Sequence, residues 1–252
     1  MRILLLDIET APHRVYAWGL FDQNISISQI VEPGYTLCYA AKWLDKRGVM
    51  FDSVQQSKPK EMAVSIHALL SQADAVIHFN GERFDIPTLN KEFILHGLTP
   101  PEPYKQIDLL RTCRRQFKFA SNKLDYVSQV LGEGAKIQHK GMELWRACMD
   151  QRHKDYKSAW RTMERYNKGD VLLTEKLYKR LLPWIPNHPN HALYNNENGV
   201  KCPKCNSQNL TARGYQRSMV ARYKRFQCND CGGWAKERLA DKDVCRPTMT
   251  NA

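Results

Sequence analysis

The hydrophobic pattern of the chain begins with a short apolar run, Ile3–Leu6, that ends in two carboxylates, Asp7 and Glu9. Four consecutive apolar residues are typical of a central strand that is covered on both faces. Because side chains alternate along a strand, Asp7 and Glu9 should point to one face and Ile8 to the other. Two like charges in this position repel each other, so they need water, a proton or a cation.

Further strands and helices are predicted from the period of the apolar positions. Residues 35–44 and 49–55 have the composition of strands joined by a turn at 45–48, which predicts an antiparallel meander with the first strand. Residues 75–79 and 107–110 predict two more strands or strand ends. Helices are predicted over 62–70, 84–96, 123–131, 143–149 and 154–182. This order predicts an α/β fold in which helices pack on the faces of a mixed sheet.

A proline-rich stretch divides the chain into two parts. Residues 183–190 contain three prolines, which exclude a continuing helix and favour extended geometry. We therefore predict a first domain over residues 1–182 and a linker over 183–199. A small module over 200–239 and a disordered tail over 240–252 complete the predicted organisation.

Composition and charge narrow the class of protein. Hydrophobic residues make up 42% and charged residues 25% of the chain, and no apolar run approaches the roughly 18 residues of a membrane span. The first apolar run is too short for a secretion signal, so we expect a cytoplasmic protein without a membrane partner. The net charge is +12, and residues 201–252 contribute +7 of it, from 11 Lys and Arg against 4 Asp and Glu. This charge favours nucleic acid as a partner, with solubility as the plain alternative.

Two more carboxylates lie on predicted helices. Asp85 follows the predicted strand 75–79 at the start of a helix, where a carboxylate also suits the helix dipole. Asp170 lies on a helix face with apolar residues on both sides, so its carboxylate should point inward and need a partner. Tyr166 lies on the same side, four residues earlier. Gly169 should cost a helix about 1 kcal/mol relative to Ala, which indicates that another segment approaches closely there.

Carboxylates from three separate segments have the chemistry of a two-metal site. The four are Asp7, Glu9, Asp85 and Asp170. Two divalent cations about 3.5–4 Å apart can activate a water and stabilise the leaving oxygen during phosphodiester hydrolysis. Mg²⁺ and Mn²⁺ prefer such oxygen ligands. Paired acidic residues alone are common, so the prediction depends on the combination.

The same segments resemble the three exonuclease motifs of the DEDD superfamily of 3′→5′ exonucleases. The motifs are Asp7-Ile8-Glu9-Thr10, then Asn80-Gly81-Glu82-Arg83-Phe84-Asp85, then Tyr166 four residues before Asp170. The tyrosine is similar to that of one branch, which includes the proofreading domains of family B polymerases, whereas the histidine branch would have His at the position of Arg165. The resemblance covers residues 1–182 and implies a ribonuclease H-like fold. The sequence shows no polymerase domain.

The resemblance also implies roles for individual residues. The ligands of two Mg²⁺ or Mn²⁺ ions would be Asp7, Glu9, Asp85 and Asp170. Tyr166 would orient the attacking water. Glu9 and Thr10 would meet the 3′-terminal nucleotide, and Asn80 and Phe84 would lie beside the last nucleotides.

Four of the eight cysteines form two CxxC pairs, Cys202 with Cys205 and Cys228 with Cys231, separated by 22 residues. Two such pairs direct four thiolates to one point and complete a tetrahedral Zn²⁺ site, with a redox dithiol as the weaker alternative. Four cysteines leave no open position, so one structural zinc is expected. The alternating residues between the pairs, with a turn expected at Gly214, resemble a zinc ribbon.

Cations and aromatic residues are interleaved between the two cysteine pairs. The cations are Arg213, Arg217, Arg222, Lys224 and Arg225. Such a surface suits phosphate contact and base stacking, and docking on another protein is the alternative. Lys136, His139 and Lys140 could also contact phosphate, but a solvated loop is the expectation for charged residues. For Asp108 we expect a turn or helix cap.

These patterns predict a metal-dependent 3′→5′ exonuclease that acts on nucleic acid, with single-stranded DNA favoured over RNA. An exoribonuclease on the same scaffold and a non-catalytic nucleic-acid-binding protein with a zinc ribbon are the alternatives. The presence of all four carboxylates and the tyrosine favours an enzyme. A replication or repair protein is the kind of protein partner we expect, and the sequence leaves the oligomeric state open.

Overall fold

The computed structural model describes residues 1–44, 46–194 and 199–242, which divide into two compact units, Arg2–Tyr178 and the chain from Lys179 onward. The strands are β1 (Ile3–Thr10), β2 (Arg14–Val15), β3 (Ile30–Glu32), β4 (Thr36–Trp43), β5 (Met50–Ser53), β6 (Ala75–His78), β7 (Lys105–Asp108), β8 (Leu210–Arg217), β9 (Arg222–Cys228) and β10 (Trp234–Lys236). The helices are α1 (Pro59–Ser71), α2 (Asp85–Leu95), α3 (Leu109–Gln116), α4 (Leu124–Val130), α5 (Met142–Met149) and α6 (Tyr156–Leu181).

The first unit is built on a five-stranded mixed sheet with the order β5-β4-β1-β6-β7. β1 is central: it pairs antiparallel with β4 and parallel with β6, and β6 pairs parallel with β7. The predicted meander is confirmed, since β4 also pairs antiparallel with β5. Because β1, β6 and β7 run in the same direction, their carboxyl ends lie at one edge of the sheet. The predicted α/β fold with a mixed sheet and flanking helices is therefore confirmed.

Each face of the sheet carries its own hydrophobic core. Leu4, Leu6 and Ile8 of β1 pack in a cluster that also contains Ile66 of α1 and Leu89 of α2. A second cluster joins residues of β4 to α5 and α6, among them Leu37, Leu144, Trp160 and Met163. Since Ile8 faces the cluster with α1 and α2, strand alternation turns the side chains of Asp7 and Glu9 toward the other face.

The observed elements differ from the predicted ones at their ends and in two additions. Helix α3 begins at Leu109, inside the predicted strand 107–110. β2 and β3 form a small two-stranded sheet that the sequence pattern did not predict. Asp108 ends β7, and its Oδ1 accepts hydrogen bonds from the amides of Leu110 and Arg111, which confirms the expected helix cap. Of the predicted turn 45–48, Asp45 lies outside the described residues. None of the helices in the described ranges has the length and apolar character needed to cross a membrane.

The second unit contains a three-stranded antiparallel sheet in the order β10-β9-β8. The turn expected at Gly214 is wrong. Gly214 lies inside β8 with a φ of +71°, at an irregularity in the pairing with β9, and the chain reverses instead at 218–221. A residue with positive φ can serve a strand bulge as well as a turn, so glycine alone did not distinguish them.

The predicted linker and tail are only partly described. Of the stretch 183–199, residues 195–198 are outside the described residues. One short 3-10 helix, Leu182–Trp184, overlaps its start, and a second, His191–Leu193, lies within it. Of the predicted tail 240–252, residues 243–252 are outside them as well. Asp241 accepts from the Arg222 guanidinium at 2.7 Å, so the described start of that tail is held by the sheet.

Candidate active site

The carboxylates of β1 lie at the edge where the parallel strands end. Asp7 is opposite Ala40 and Glu9 opposite Cys38 in the pairing with β4, and the register shifts directly after Glu9. The pairing resumes at Thr10, which is opposite Thr36, so the irregularity lies within β1 directly beside the two carboxylates.

Helix α6 brings the third carboxylate to the same place. Asp170 is buried, with 1% of its surface exposed, as its helix face predicts. Ligand oxygens of Asp7, Glu9 and Asp170 lie within 4.8 Å of one another, which is the spacing of groups that can bind a common cation. Oδ1 of Asp170 is buried and has no hydrogen-bond partner among the described residues. An enclosed carboxylate oxygen of this kind fits a hard divalent cation.

Asp85 lies beside this group but is not one of the three. It is the first residue of α2 and 3% exposed, and its Oδ1 accepts a hydrogen bond from the Ile8 amide at 3.1 Å. One carboxylate oxygen is thus directed to the backbone of β1, between Asp7 and Glu9. The structure therefore places all four predicted carboxylates in one region. Asp7, Glu9 and Asp170 lie close to one another, and Asp85 is hydrogen-bonded to the backbone of β1 beside them.

Burial and mutual repulsion raise the pKa values of the four carboxyl groups. Burial, and then the charges of Asp85, Glu9 and Asp170, raise the pKa of Asp7 well above its usual range. Burial and the charge of Asp170 raise the pKa of Glu9 to about 8. Burial raises the pKa of Asp85 to about 7, although the Ile8 amide opposes the shift, and burial also raises that of Asp170. A bound cation would stabilise the charged forms of all four groups.

Lys136 is a member of the site that the sequence pattern missed. Its Nζ lies 2.6 Å from Asp170 Oδ2 and donates to Tyr166 Oη at 2.9 Å. The expectation of a solvated loop is wrong for this residue, because a buried carboxylate attracts a counter-charge. The Lys136 amide donates to Asp125 Oδ1 at 2.7 Å, which fixes the loop to α4.

The close approach predicted at Gly169 is confirmed and explains how the loop reaches the site. A Cβ built on Gly169 would lie 2.8 Å from Ile137 Cδ1, so any larger side chain would push Ile137 away from α6. Ile137 directly follows Lys136 in the chain. Glycine therefore permits the contact that brings the Lys136 ammonium to Asp170.

Asn167 holds Asp7 in place. Its Nδ2 donates to Asp7 Oδ2 at 2.6 Å and to the Asp7 carbonyl oxygen at 3.3 Å. The side chain is fully buried, one turn of α6 before Asp170. Asn167 lies three residues before Asp170 and therefore on the same face of the helix, but nothing in the spacing indicated its partner.

Aromatic residues line one side of the carboxylate group. The Tyr166 ring packs edge-on against His139 at 4.7 Å and against Trp145 at 6.3 Å between ring centroids. Trp145 Nε1 donates to the carbonyl oxygen of Thr10 at 3.1 Å, so the indole is fixed next to the end of β1. A cavity of about 300 Å³ opens between Thr10, Pro12, Gly141, Met142 and Trp145.

The other predicted substrate residues of this unit lie on the loop between β6 and α2. Asn80 adopts a φ of +70°, and its amide donates to Asp108 Oδ1 at 3.1 Å. Phe84 is 43% exposed, directly before Asp85. The structure thus holds Thr10, Asn80 and Phe84 at the carboxylate edge of the sheet.

In the second unit the four predicted cysteine ligands come together. Their sulfur atoms lie within 4.8 Å of one another, with Cys202 and Cys231 at 3.6 Å and Cys205 and Cys228 at 3.6 Å. Four thiolates about 2.3 Å from a tetrahedral zinc are about 3.7 Å apart, so the cluster is compatible with Zn²⁺ in a ribbon.

The cationic side chains between the cysteine pairs differ in the partners that they contact. Arg222 pairs with Asp241 and stacks on Tyr215, with its guanidinium carbon 4.0 Å from the ring centroid. Arg225 donates twice to the carbonyl oxygen of Arg213 and stacks on Trp234. These two side chains therefore support the sheet. The other three, Arg213, Arg217 and Lys224, are exposed residues, and the Lys224 Nζ lies 5.7 Å from the centroid of the Phe226 ring.

A mixed sheet that carries buried acidic residues at the ends of parallel strands, with helices on both faces, defines a ribonuclease H-like protein. The chain belongs to the RNase H superfamily, whose family model matches residues 4–182. Members of this superfamily are generally nucleases, that is, phosphodiester hydrolases, and they generally use divalent metals.

Among solved structures, the family B DNA polymerase of the hyperthermophilic archaeon Pyrobaculum calidifontis is similar to the chain. The TM-score is 0.52 and the sequence identity 18%, and the match covers 72% of this chain and 24% of the polymerase. At this identity the similarity concerns the fold alone. None of the curated proteins compared with the chain shows significant sequence similarity to it.

Proposed function

We propose that the chain is a metal-dependent 3′→5′ exonuclease that hydrolyses nucleic acid, with single-stranded DNA as its favoured substrate. The observation that carries this proposal is the approach of Asp7, Glu9 and Asp170 to within 4.8 Å, beside Asp85. Membership of the RNase H superfamily supports phosphodiester hydrolysis. The order of the motifs, with Tyr166 before Asp170, supports the 3′→5′ direction through the resemblance to the DEDD exonucleases.

The carboxylates would hold two Mg²⁺ or Mn²⁺ ions, which supply an activated water and stabilise the leaving oxygen. Asn167 fixes one oxygen of Asp7 for this purpose. Burial and the charge of Asp170 raise the pKa of Tyr166, so the phenol stays protonated at neutral pH. Tyr166 would therefore orient the attacking water through hydrogen bonds and not act as a base.

The strand would enter with its 3′ end at the end of β1. Glu9 and Thr10 would meet the terminal nucleotide, and the cavity between Thr10 and Trp145 offers an apolar wall for it. Asn80 and Phe84 would lie beside the last nucleotides.

The second unit would hold one structural Zn²⁺ through Cys202, Cys205, Cys228 and Cys231, and its cations would contact the strand. Arg213, Arg217 and Lys224 are the side chains we propose for phosphate contact, with Arg222 and Arg225 supporting them. We also propose that the protein works in the cytoplasm beside replication or repair proteins.

The direct test uses 5′-labelled single-stranded DNA with Mg²⁺ or Mn²⁺. Wild-type protein should shorten the labelled strand stepwise from its 3′ end, and Asp7→Ala should abolish this shortening. Asp150→Ala, which removes an exposed carboxylate, is the matched control and should cleave normally. Parallel RNA and duplex substrates measure the preference for DNA and for single strands. Failure of wild type to degrade any of these substrates would refute the proposal.

A further inference from the structure

A group of exposed cations, here named the α3 strip, lies at the end of α3 and just beyond it. It consists of Arg114, Arg115 and Lys118. The surrounding segment, Leu109–Lys123, contains five Lys and Arg residues and no acidic residue. A run of this kind leaves a positive surface that the segment itself does not neutralise.

The two arginines of the α3 strip lie on the exposed face of an amphipathic helix. Leu109, Leu110 and Cys113 are buried, whereas Arg114 and Arg115 are exposed. One turn earlier, Arg111 is neutralised by Glu82, to which it donates at 2.6 and 2.5 Å. The three cations of the strip have no ion pair among the described residues. The helix dipole accounts for arginines in a last turn, but Lys118 lies beyond the helix.

Helix α3, whose far end carries the α3 strip, starts at the carboxylate edge of the sheet. Asp108 ends β7, two strands from β1, and strands about 4.8 Å apart put these ends roughly 10 Å from each other. Oδ1 of the same Asp108 accepts hydrogen bonds from the backbone amides of Asn80 at 3.1 Å and Leu110 at 2.9 Å. Helix α3 is thereby joined to the loop that leads to Asp85.

We propose that the α3 strip contacts the phosphate backbone of the nucleic-acid strand whose 3′ end lies at the carboxylates. The proposal rests on the proposed function, because it takes the carboxylate group as the position of that end. The polyanionic backbone is the partner that fits three unpaired cations at the far end of a helix that starts beside such a site. A long strand would reach the strip, whereas a dinucleotide would not.

The experiment compares two triple variants of the full-length protein, each combined with Asp7→Ala to prevent cleavage. One carries Arg114→Ala, Arg115→Ala and Lys118→Ala. The control removes the same charge from exposed positions of α1 and α6, through Lys60→Ala, Lys157→Ala and Arg161→Ala. Binding of a long single-stranded oligonucleotide is measured by fluorescence anisotropy at several salt concentrations, and thermal unfolding checks that both variants fold.

The logarithm of the affinity falls as the logarithm of the salt concentration rises, and loss of three phosphate contacts should make this fall less steep by about 2. Binding at low salt should weaken at least about tenfold. The control should keep the parent slope. If the two triple variants behave alike, or if the strip variant binds like the parent, the α3 strip is not the contact surface.

A cleavage assay separates this proposal from the proposed function. With Asp7 restored, the strip variant should degrade a long strand more slowly than wild type but a dinucleotide equally fast. If wild type degrades nothing while the strip variant still loses binding, the exonuclease proposal fails and the binding surface stands. If wild type degrades both substrates and the strip variant is unchanged on both, the strip proposal alone is overturned.

Discussion

The Lys136 ammonium lies 2.6 Å from Oδ2 of Asp170 and 2.9 Å from the Tyr166 hydroxyl. Asp170 is almost fully buried, and the Lys136 side chain is 28% exposed. The ion pair therefore stabilises a carboxylate that is surrounded by three others. Burial opposes the charged lysine, but the charge of Asp170 and the hydrogen bonds outweigh it and raise the pKa of Lys136. Lys136 therefore neutralises part of the negative charge of the four carboxylates, the same charge that could bind a metal ion.

Lys136→Met should destabilise the metal-free protein by about 1–3 kcal/mol, since it leaves the buried Asp170 oxygen without its partner. Because Mg²⁺ can supply the missing charge, the loss should be smaller when the metal is present. Chemical unfolding in EDTA and in Mg²⁺ measures both values. Lys140→Met, which removes an exposed lysine of the same loop, is the control and should change neither. Equal stability of Lys136→Met and wild type in EDTA would show that the ion pair contributes nothing.

The raised carboxyl pKa values predict how stability depends on pH. Glu9 and Asp85 have pKa values of about 8 and about 7, above the ordinary values near 4. Folding therefore favours their neutral forms, and that stabilisation is fully present below about pH 4 and lost as the pH rises to about 8. Metal-free protein should lose thermal stability over this window, while the stabilisation by Mg²⁺ should grow over the same window.

Thermal unfolding from pH 5 to pH 8, with EDTA or with Mg²⁺, measures this dependence. The double variant Glu9→Gln and Asp85→Asn is the control, because its side chains do not titrate there and its curve should be flatter. A stabilisation by Mg²⁺ that is the same at every pH would contradict the explanation.

The sheet and the acidic residues were predictable because both follow local periodicity. Alternation along β1 places Asp7 and Glu9 on one face, and the helical period places Asp170 inward on α6. Each of these needs only the pattern of its own segment. The structure then brings the segments together at one edge, because β1 and β6 run parallel and α2 follows β6 after a short loop.

What the sequence did not predict depends on contacts between distant segments. Lys136 lies in a loop without periodicity, and its position requires that Ile137 pack on Gly169 of α6. The pairing of Arg222 with Asp241 likewise depends on how the chain returns along β9. Single-segment patterns carry no information about such partners.

Asn167→Ala should weaken metal binding about 10- to 100-fold, because a group that orients a ligand is lost while all four carboxylates remain. The Asp7 carboxylate would then be free to turn away from Glu9 and Asp170. Isothermal titration with Mn²⁺ measures the affinity directly. Asn90→Ala, on the exposed side of α2, is the matched control and should bind as wild type does.

The conservative variant Asn167→Asp distinguishes positioning from mere packing. Aspartate fills the same space but places a further negative charge against Asp7 Oδ2, where the amide now donates at 2.6 Å. The metal-free variant should be less stable than Asn167→Ala, and Mn²⁺ should restore more of its stability. If both variants bind Mn²⁺ like wild type, Asn167 does not position Asp7.

The four-cysteine cluster predicts one Zn²⁺ per chain, released by a chelator and absent after substitution of a ligand. Cys205→Ser and Cys231→Ser should each abolish stoichiometric zinc, because the remaining three thiolates cannot complete the closed tetrahedral site. Metal analysis of the purified protein gives the ratio of zinc to chain, and Cys113→Ala, which alters a cysteine of the first unit, should leave this ratio at one.

Since zinc binding and folding are coupled in such small sheets, the ligand variants should also lose protease resistance from Lys179 onward. The first unit should keep its own unfolding transition and its Mn²⁺ affinity. A protein that is free of zinc but equally resistant to protease would exclude a structural zinc and leave the redox dithiol as the alternative.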